Sequence, residues 1–566
     1  MGIAPFFTDR GPGAATRRLL AIAFFAAVMA FAGVFSLPPL DRDEARYAQA
    51  TAQMLETGDF VVIRFQEDER NKKPAGAYWL QAASVAAFSD ADARAIWAYR
   101  LPSVLGVLLA ALFTYAAIAR LFDPATAFVA AILLASAPVV AGEATIAKTD
   151  ALLLAAVTGA MAALAALLMA AKDNRRASLA MAAAFWIAIG AGILVKGPII
   201  VLIVAPAILL IAMRFPKTQP HRALRPLLGL IILALMIGPW AAAIGLATEG
   251  RFFDEAFGAD MLAKVGAAQE SHAGPPGYHL LLAPVLAWPI AALAPAGILA
   301  AVRRQRDFSV WFLAAWLLPG WIIFELTATK LPHYVLPLYP ALAGLAALIA
   351  MDPARAPNAL VRAGAALYAV VGFALAGALA VLPLYSGAPQ LVAFAAGAAL
   401  GVAALTAFAA HAFWQARPLR GIAAAAPAAV LLAWSLLAGI LPRLPALAVS
   451  PRISAALDAA GLHPLRDGAA PVALAGYYEP SAIFLLGTAT RLADGAGAAD
   501  AMLDNGASAI VEAREDDAFQ LRLAERGGNA EAIATIGGLN YSKGDDVTLT
   551  IYRQTTELEP TAQATP

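Results

Sequence analysis

The chain has 566 residues, of which 61% are hydrophobic and 14% are charged, and its formal net charge is +1. The hydrophobic residues form runs of about twenty separated by short charged loops, which is the pattern of a membrane protein with many helical spans. This composition excludes an ordinary soluble domain. The lack of cysteine excludes disulfides, thiolate metal sites and cysteine nucleophiles.

Thirteen apolar segments are predicted to cross the membrane. The first is longer than a usual signal-peptide core and has no clear cleavage site, so we expect it to stay in place. Segments that contain proline are expected to bend or split. The predicted spans are 18–37, 97–119, 124–141, 150–171, 178–195, 197–213, 226–247, 277–301, 308–328, 332–351, 361–384, 390–413 and 421–441.

Arginine and lysine indicate the side on which each loop lies. Arg10, Arg17 and Arg18 precede the first span, and alternate loops after it carry further basic residues. By the positive-inside rule those loops are cytoplasmic, so the intervening loops and everything after about residue 441 lie outside. Residues 251–266, on the outer side, are predicted to form a surface helix.

The first outer loop begins with a charged helix. Read as a helix over residues 42–57, it places Asp43, Arg46 and Tyr47 on one face, and Gly58 supplies a stop signal. These charges could form only a solvated flank of the first span. However, ionisable residues that collect at a membrane surface are costly, so they indicate a functional cavity open to the outer face.

Other unusual residues collect on the same predicted side. Lys72 and Lys73 precede a Tyr-Trp pair of the kind that lies at headgroup depth, where a lysine can meet a phosphate. Further outer turns contain Asp150, the sequence Lys196-Gly197-Pro198, and Lys330 followed by His333 and Tyr334.

The composition changes to a soluble pattern after residue 441. Short apolar or alternating runs at 472–475, 509–511 and 547–552 predict strands, and patterns at 480–486, 498–505 and 516–526 predict helices. We therefore expect a transmembrane domain at 1–441, an external α/β domain at 442–554 and a disordered tail at 555–566. The sequence has no Gly-x-x-x-x-Gly-Lys nucleotide loop, so ATP-driven transport has no support.

Taken in order, these motifs resemble bacterial membrane glycosyltransferases of the GT-C fold. They resemble in particular the aminoarabinose (4-amino-4-deoxy-L-arabinose) lipid A transferases and the protein mannosyltransferase-like enzymes, glycosyltransferase families 83 and 39. The likeness covers about residues 18–350 and, more weakly, Asn540-Tyr541-Ser542. The motifs are Asp43-Glu44-Ala45-Arg46-Tyr47, Gly58-Asp59, Lys73-Pro74, Tyr78-Trp79-Leu80-Gln81, Asp150, Lys196-Gly197-Pro198 and Lys330-Leu331-Pro332-His333-Tyr334.

The resemblance implies a polytopic all-α membrane protein of GT-C type, with about 13 transmembrane helices and periplasmic surface helices, plus a C-terminal soluble α/β domain. It implies transfer of a sugar from a polyprenyl-phosphate carrier to lipid A, a glycan or a protein. The reaction would take place at the periplasmic face of the bacterial inner membrane, among membrane lipids and without nucleic acid. A single displacement would invert the anomeric carbon.

The resemblance also implies the catalytic residues Asp43, Asp150 and Glu44. Asp43 would act as general base on a hydroxyl acceptor, or would position a phosphate acceptor that needs no base. An Asp43–Arg46 ion pair that only shapes the helix, and a helix N-cap role for Asp150, stay open.

The leaving phosphate of the donor needs fixed cations. Lys73 and Arg46 are the first candidates, followed by Lys330, with Tyr334 lining the path. Arginine can hold a phosphate bidentately, while lysine acts as a point charge. Tyr334 could equally be an aromatic anchor at the membrane surface.

No cofactor is certain, and a divalent metal stays an open question. Close relatives often carry Glu-Lys-Pro where this chain has Lys72-Lys73-Pro74, and that acid is associated with a metal, so the cation puts such a site in doubt. Glu270 and His272 are the remaining candidate ligands.

The two alternative functions for such a chain are a transporter or flippase and a non-catalytic scaffold. A transporter or flippase of a lipid-linked precursor would predict internal repeats and charges near span midpoints, yet the span interiors are almost free of charge except for Glu325. A non-catalytic scaffold would leave the clustered outer charges unexplained. The sequence therefore favours the glycosyltransferase.

Overall fold

The computed structural model describes residues 11, 13–256, 258, 274–355 and 357–555. Long apolar helices form the first three quarters of the chain, and a small mixed sheet with helices follows. The helices are α1 (Ala14–Ala30), α2 (Asp43–Thr57), α3 (Gly76–Phe88), α4 (Ile96–Leu121), α5 (Pro124–Ala135), α6 (Pro138–Ala144), α7 (Asp150–Lys172), α8 (Leu179–Lys196), α9 (Ile199–Arg214), α10 (Pro226–Ala247), α11 (Tyr278–Leu286), α12 (Ala294–Arg303), α13 (Phe308–Leu326), α14 (Tyr339–Met351), α15 (Asn358–Tyr385), α16 (Val392–Trp414), α17 (Pro418–Ala433), α18 (Val449–Ala459), α19 (Pro480–Leu486), α20 (Gly495–Asn505) and α21 (Asp516–Glu525).

The chain is a multi-pass membrane protein. Within the described residues, eight helices are long and apolar enough to cross a bilayer, or nine if α5 and α6, bent by 64° at their junction, form one span. Each of the thirteen predicted segments coincides with helix, but several are short or broken, as where α11 and α12 are separated by Pro289. The count of thirteen therefore stays a prediction.

Close helix packing fixes the segment that begins at Asp150. On α4, a Cβ added to Gly106 would lie 2.6 Å from the carbonyl oxygen of Ala151, so only glycine lets α4 approach the first turn of α7 this closely. Most of α7 is buried between its neighbours. The first turn of α7 is thus held at a defined depth.

The first outer loop contains two helices and a hairpin. α2 begins at Asp43 and ends at Gly58, which adopts φ 70° as the predicted stop signal requires. Strands β1 (Arg64–Phe65) and β2 (Asp68–Glu69) pair antiparallel before α3. Of the surface helix predicted at 251–266, the structure describes a turn at Arg251–Phe253.

The C-terminal region is the α/β unit that the sequence predicts. Its five-stranded sheet has the order β4-β3-β5-β7-β6, in which β3 pairs parallel with β4 and β5, and the remaining pairs are antiparallel. Its helices cover both faces, and α19 packs on α2. The strands are β3 (Ala473–Ala475), β4 (Arg491–Ala493), β5 (Ala509–Glu512), β6 (Ala530–Asn540) and β7 (Asp545–Gln554).

Residues 556–566, nearly all of the predicted disordered tail, lie outside the described part of the chain. The division of the chain at residue 441 also stays a prediction.

Candidate active site

An open cavity, with about 1060 Å³ of empty space when the solvent at its mouth is included, lies where α7, α8, α9 and α13 meet the loop before α3. One part of its wall is apolar and includes Leu153, Leu202 and Phe324, whereas the other part is charged and polar. Leu202 is also 40% exposed and lies on the same face of α9 as the exposed Leu209 and Met213, so the apolar part reaches the surface that faces lipid. The charged and polar lining residues are Lys72, Lys73, Asp150, Lys196, Thr327, Thr329 and Tyr334.

A buried network of charges forms one side of this cavity. Asp150 Oδ1 lies 2.5 Å from Lys196 Nζ, and its Oδ2 lies 3.6 Å from Lys148 Nζ. Lys148 Nζ also lies 3.1 Å from Glu143 Oε1. The ring of His333 lies between the two acids, 3.5 Å from Glu143 and 3.5 Å from Asp150. Two carboxylates and two ammonium groups balance in charge when His333 is neutral, which is the arrangement that buried charges require.

Helix ends explain why these charges meet. Asp150 is in the first turn of α7 and Lys196 is the last residue of α8, so each lies at the helix end whose dipole favours its sign. Gly197 adopts φ 66° directly after Lys196, a conformation that favours glycine and turns the chain into α9. The sequence Lys196-Gly197-Pro198 therefore forms a tight turn between α8 and α9 that places the Lys196 ammonium in the cavity wall.

Asp43 and Arg46 are not among the residues that line the cavity, but Asp43 lies near enough to the buried charge network to act on Lys148. Asp43 is exposed at the start of α2, and Arg46 is half-buried. Within the described ranges neither side chain forms an ion pair, so the Asp43–Arg46 pair that would only shape the helix is not seen.

Burial lowers the pKa of Lys148, but the carboxylates of Glu143 and Asp150 raise it above its usual value, and Asp43 adds to that rise.

The carboxylate of Glu44 is held by hydrogen bonds on both of its oxygens. Its carboxylate accepts Nε and Nη2 of Arg100 at 2.8 and 2.7 Å, the backbone N–H of Ala147 at 2.8 Å, and that of Leu40 at 2.8 Å. Glu44 and Arg100 are both fully buried. Four donors occupy the lone pairs of the two oxygens, which is the geometry of an anchor for α2, and the catalytic role expected of Glu44 stays a prediction.

Replacing Glu44 by glutamine should therefore destabilise the protein more than it slows any reaction. Glutamine removes the charge opposite Arg100, and a hydrogen bond to a charged group is worth about 1.5–3 kcal/mol. We expect a loss of about 2 kcal/mol in thermal unfolding in detergent. Activity per folded molecule should be nearly unchanged. A fully folded Glu44→Gln protein without activity would restore Glu44 to the catalytic set.

The predicted phosphate ligands occupy different places. Lys73 and Tyr334 line the cavity, and the Tyr334 ring centroid lies 5.7 Å from Lys196 Nζ. Lys330 is buried behind the wall, where its Nζ donates to the carbonyl oxygens of Gly274 at 2.8 Å and Thr327 at 2.6 Å. Lys330 therefore fixes two loops around the cavity and does not itself line it.

The cavity residues do not fit a divalent metal. Lys72 and Lys73 line the cavity, and Asp150, the acid among its lining residues, already faces Lys196 and Lys148. A cation beside two others repels a metal ion. In the described part of the chain no three His, Cys, Asp or Glu side chains form a metal-binding group. The candidate ligands Glu270 and His272 lie outside the described residues.

Sequence reasoning assigned no role to several of these residues. Lys196 ended an apolar run, which is a signal that could have marked it as a site residue. Glu143 and Lys148 were visible only as charges in a short turn, and Arg100 lay inside the predicted span 97–119, near its outer end. Lys196 and Arg100 pair with Asp150 and Glu44, which lie 46 and 56 residues away in the chain, so only the fold shows their roles.

Comparisons with known proteins agree with this architecture. Residues 72–241 match the family described as dolichyl-phosphate-mannose-protein mannosyltransferase. The undecaprenyl phosphate-alpha-4-amino-4-deoxy-L-arabinose arabinosyl transferase of Pseudomonas aeruginosa is 32% identical over 334 residues, which are 57% of this chain and 57% of that protein. The Yersinia pestis protein of the same name is 27% identical and covers 57% and 58%. The matched stretch thus spans little more than half the length of these relatives.

The fold itself is matched over almost the whole chain. The crystal structure of ArnT from Cupriavidus metallidurans bound to undecaprenyl phosphate superposes with a TM-score of 0.73 at 19% identity, covering 96% of this chain and 98% of that one. The apo ArnT structure gives 0.72 at 20% identity, with 95% and 98% covered. This chain therefore has the fold of ArnT over almost its whole length, and over little more than half of its length it is similar in sequence to the undecaprenyl phosphate aminoarabinose transferases.

Proposed function

We propose that this protein is an integral membrane glycosyltransferase that moves a sugar from a polyprenyl-phosphate carrier to lipid A or another envelope acceptor. The single observation that carries the proposal is the two-part cavity. Its lysines suit a phosphate, and its apolar wall, open to the lipid-facing surface at Leu202, suits an isoprenoid chain. The ArnT fold, seen in a structure with undecaprenyl phosphate, supports the same assignment.

The chemistry follows from where the charges lie. An acceptor oxygen attacks the anomeric carbon of the sugar, and the bond from that carbon to the phosphate oxygen breaks. The leaving polyprenyl phosphate gains negative charge, which Lys73 and Lys196, both in the wall of the cavity, neutralise. Asp150 holds Lys196 in place at 2.5 Å. Arg46, which forms no ion pair in the described part of the chain, is free to approach the phosphate from α2.

We assign Asp43 to the acceptor side of the site. Its carboxylate is exposed near the buried charge network and follows the outer loop directly, so an acceptor can reach it from the aqueous phase. With a hydroxyl acceptor it accepts the proton, and with a phosphate acceptor it positions the incoming group. A single displacement of this kind inverts the anomeric carbon.

We also propose that the cavity faces the periplasm across the bacterial inner membrane. α7 runs from Asp150 at the cavity to Lys172, and the basic residues Arg175 and Arg176 follow at the opposite end. The positive-inside rule puts that basic end in the cytoplasm. The C-terminal region contacts α2 and so shares the side of the cavity, which supports a transmembrane domain at 1–441 and a periplasmic domain at 442–554.

The test compares envelope molecules from cells with and without the gene. Mass spectrometry of lipid A, glycans and glycoproteins should show one class that loses the mass of one sugar. The purified protein in detergent should restore that sugar to the acceptor from the lipid-linked donor. A flippase needs two membrane faces and would do nothing in micelles, so loss of the sugar in cells with no transfer in micelles would overturn the proposal.

A further inference from the structure

The C-terminal region forms two hydrogen bonds with Asp41, which lies two positions before Asp43 in the chain. The backbone N–H of Asp41 donates to Tyr541 Oη at 2.5 Å, and the backbone N–H of Ser481 donates to Asp41 Oδ1 at 2.9 Å. These partners are 500 and 440 residues away in the sequence. One residue of the outer loop is therefore held by its main chain and its side chain at once.

The two holding groups are themselves tied together. Asn540 Nδ2 donates to Glu479 Oε1 at 2.8 Å, and both side chains are buried. Asn540 precedes Tyr541, and Glu479 lies directly before α19, where Ser481 is found. The turn after β6 and the start of α19 therefore form one rigid clamp on Asp41, which we call the Asp41 clamp (Glu479, Ser481, Asn540 and Tyr541).

A second anchor lies on the other side of Asp43. Glu44 is fixed to Arg100 by two hydrogen bonds, so the chain is held at residues 41 and 44. Between them Arg42 adopts φ 66° and ψ −106°, in the left-handed region that a residue with a Cβ avoids. Backbone in such a conformation persists only where its surroundings impose it. The two anchors supply that constraint, and Asp43 lies between them.

We infer that Asp41 and Tyr541 are positioning residues through which the C-terminal domain sets the place of Asp43 in the transfer reaction. This inference rests on the proposed function. Lys73 and Lys196 are carried by the loop before α3 and by α8, which the Asp41 clamp does not touch. The third phosphate candidate, Arg46, follows the separate anchor at Glu44, which the clamp does not supply. The clamp therefore governs the step that uses Asp43 and leaves the binding of the donor phosphate unchanged.

Tyr541→Phe tests this by removing one hydroxyl. Loss of a single hydrogen bond that places a reacting group should lower kcat about fivefold, with the KM for the lipid-linked donor unchanged. Tyr478→Phe is the matched control, because the Tyr478 hydroxyl donates to Ala493 O inside the C-terminal region at 2.8 Å. Equal kcat in the two variants, or a rise in donor KM in Tyr541→Phe, would overturn the inference.

Asp41 gives a second, independent variant pair. Asp41→Asn keeps an oxygen for the Ser481 N–H, and Asp41→Ala does not. We expect the Asp41→Asn variant to retain the wild-type kcat at pH 5. In the Asp41→Ala variant kcat should fall about fivefold, because one hydrogen bond is lost. If Asn and Ala behave alike, the side chain of Asp41 does not position Asp43.

The kcat of Asp41→Asn should also differ from that of wild type in its dependence on pH. Burial, with Glu479 adding to it, raises the pKa of Asp41 to about 6, although Ser481 and Tyr541 oppose the rise. Tyr477 and Glu44 are the other titratable groups around this contact. Because the pKa is raised in the clamped state, the clamp is favoured while Asp41 is protonated and weakens as pH rises through about 6. The ratio of kcat for Asp41→Asn to kcat for wild type should therefore increase between pH 5 and pH 7, and a flat ratio would contradict the clamp.

Hydrogen–deuterium exchange separates this inference from the proposed function. Exchange at residues 40–44 should be faster in Tyr541→Phe than in Tyr478→Phe, whether or not the protein transfers sugar. Faster exchange in Tyr541→Phe, together with a wild-type protein that transfers no sugar, would keep the clamp and refute the proposed function. Transfer by wild type with equal exchange and equal kcat in both variants would refute the clamp alone.

Discussion

Lys73→Ala should lower the rate of sugar transfer by about 100- to 1,000-fold, the loss expected when one fixed charge is removed from a developing anion. Lys73 lines the same cavity as the Asp150–Lys196 pair, so its ammonium can meet the leaving phosphate. Its removal leaves charge on the departing phosphate without a partner at the moment the bond to the sugar breaks. Initial rates with purified enzyme, lipid-linked donor and acceptor give the effect directly.

Lys217→Ala is the matched control for this substitution. Lys217 is exposed in the loop between α9 and α10, which we predict to be cytoplasmic. Removing it deletes the same charge and side chain far from the cavity, so the transfer rate should stay at the wild-type value. A Lys73→Ala enzyme that is as fast as Lys217→Ala would remove Lys73 from the site.

Asp150→Asn should destabilise the protein by about 3 kcal/mol and also abolish most transfer, because it leaves a buried ammonium without its partner. Lys196 loses the carboxylate that lies 2.5 Å away, and Lys148 loses one of its two acids. The estimate is the lower end for a broken buried pair, since Lys196 also borders the open cavity. Thermal unfolding in detergent gives the stability, and transfer per folded molecule gives the activity.

Adding Lys196→Met to Asp150→Asn should recover most of the lost stability and none of the activity. The double variant has no unpaired charge at this position, but it also lacks the cation for the phosphate. Asp173→Asn is the surface control, because Asp173 pairs with Arg175 where both are exposed and should cost less than about 1 kcal/mol. Recovery of transfer in the double variant would show that Lys196 only balances Asp150.

The helices and the C-terminal strands could be predicted because each depends on a local pattern. Apolar runs of helical length gave α4, α7 and α15, and the run at 509–511 gave β5. Breaks within helices were harder to predict from the sequence. The 64° bend between α5 and α6, for example, depends on how neighbouring helices pack as well as on Pro138. Whether the short helices α9 and α14 each cross the bilayer also depends on their neighbours.

The candidate site could be predicted only in part, for a physical reason. Asp43 and Glu44 are adjacent acids in the first turn of one helix, and nothing local separates their roles. A helix turns by about 100° per residue, so Glu44 faces Arg100 in the core while Asp43 faces the outer loop. Lys330 resembled a phosphate ligand until the fold placed it against two carbonyl oxygens. Contacts over such sequence distances are a property of the fold.

The central claim is that the cavity binds a lipid phosphate, and the most direct measurement is the affinity of the purified protein for undecaprenyl phosphate. Wild type and Lys217→Ala should bind it equally, and Lys73→Ala should bind it about tenfold more weakly, as loss of one charged contact predicts. Undecaprenol, which lacks the phosphate, should compete poorly. Equal affinity in all three proteins, or equal competition by the alcohol, would contradict the account.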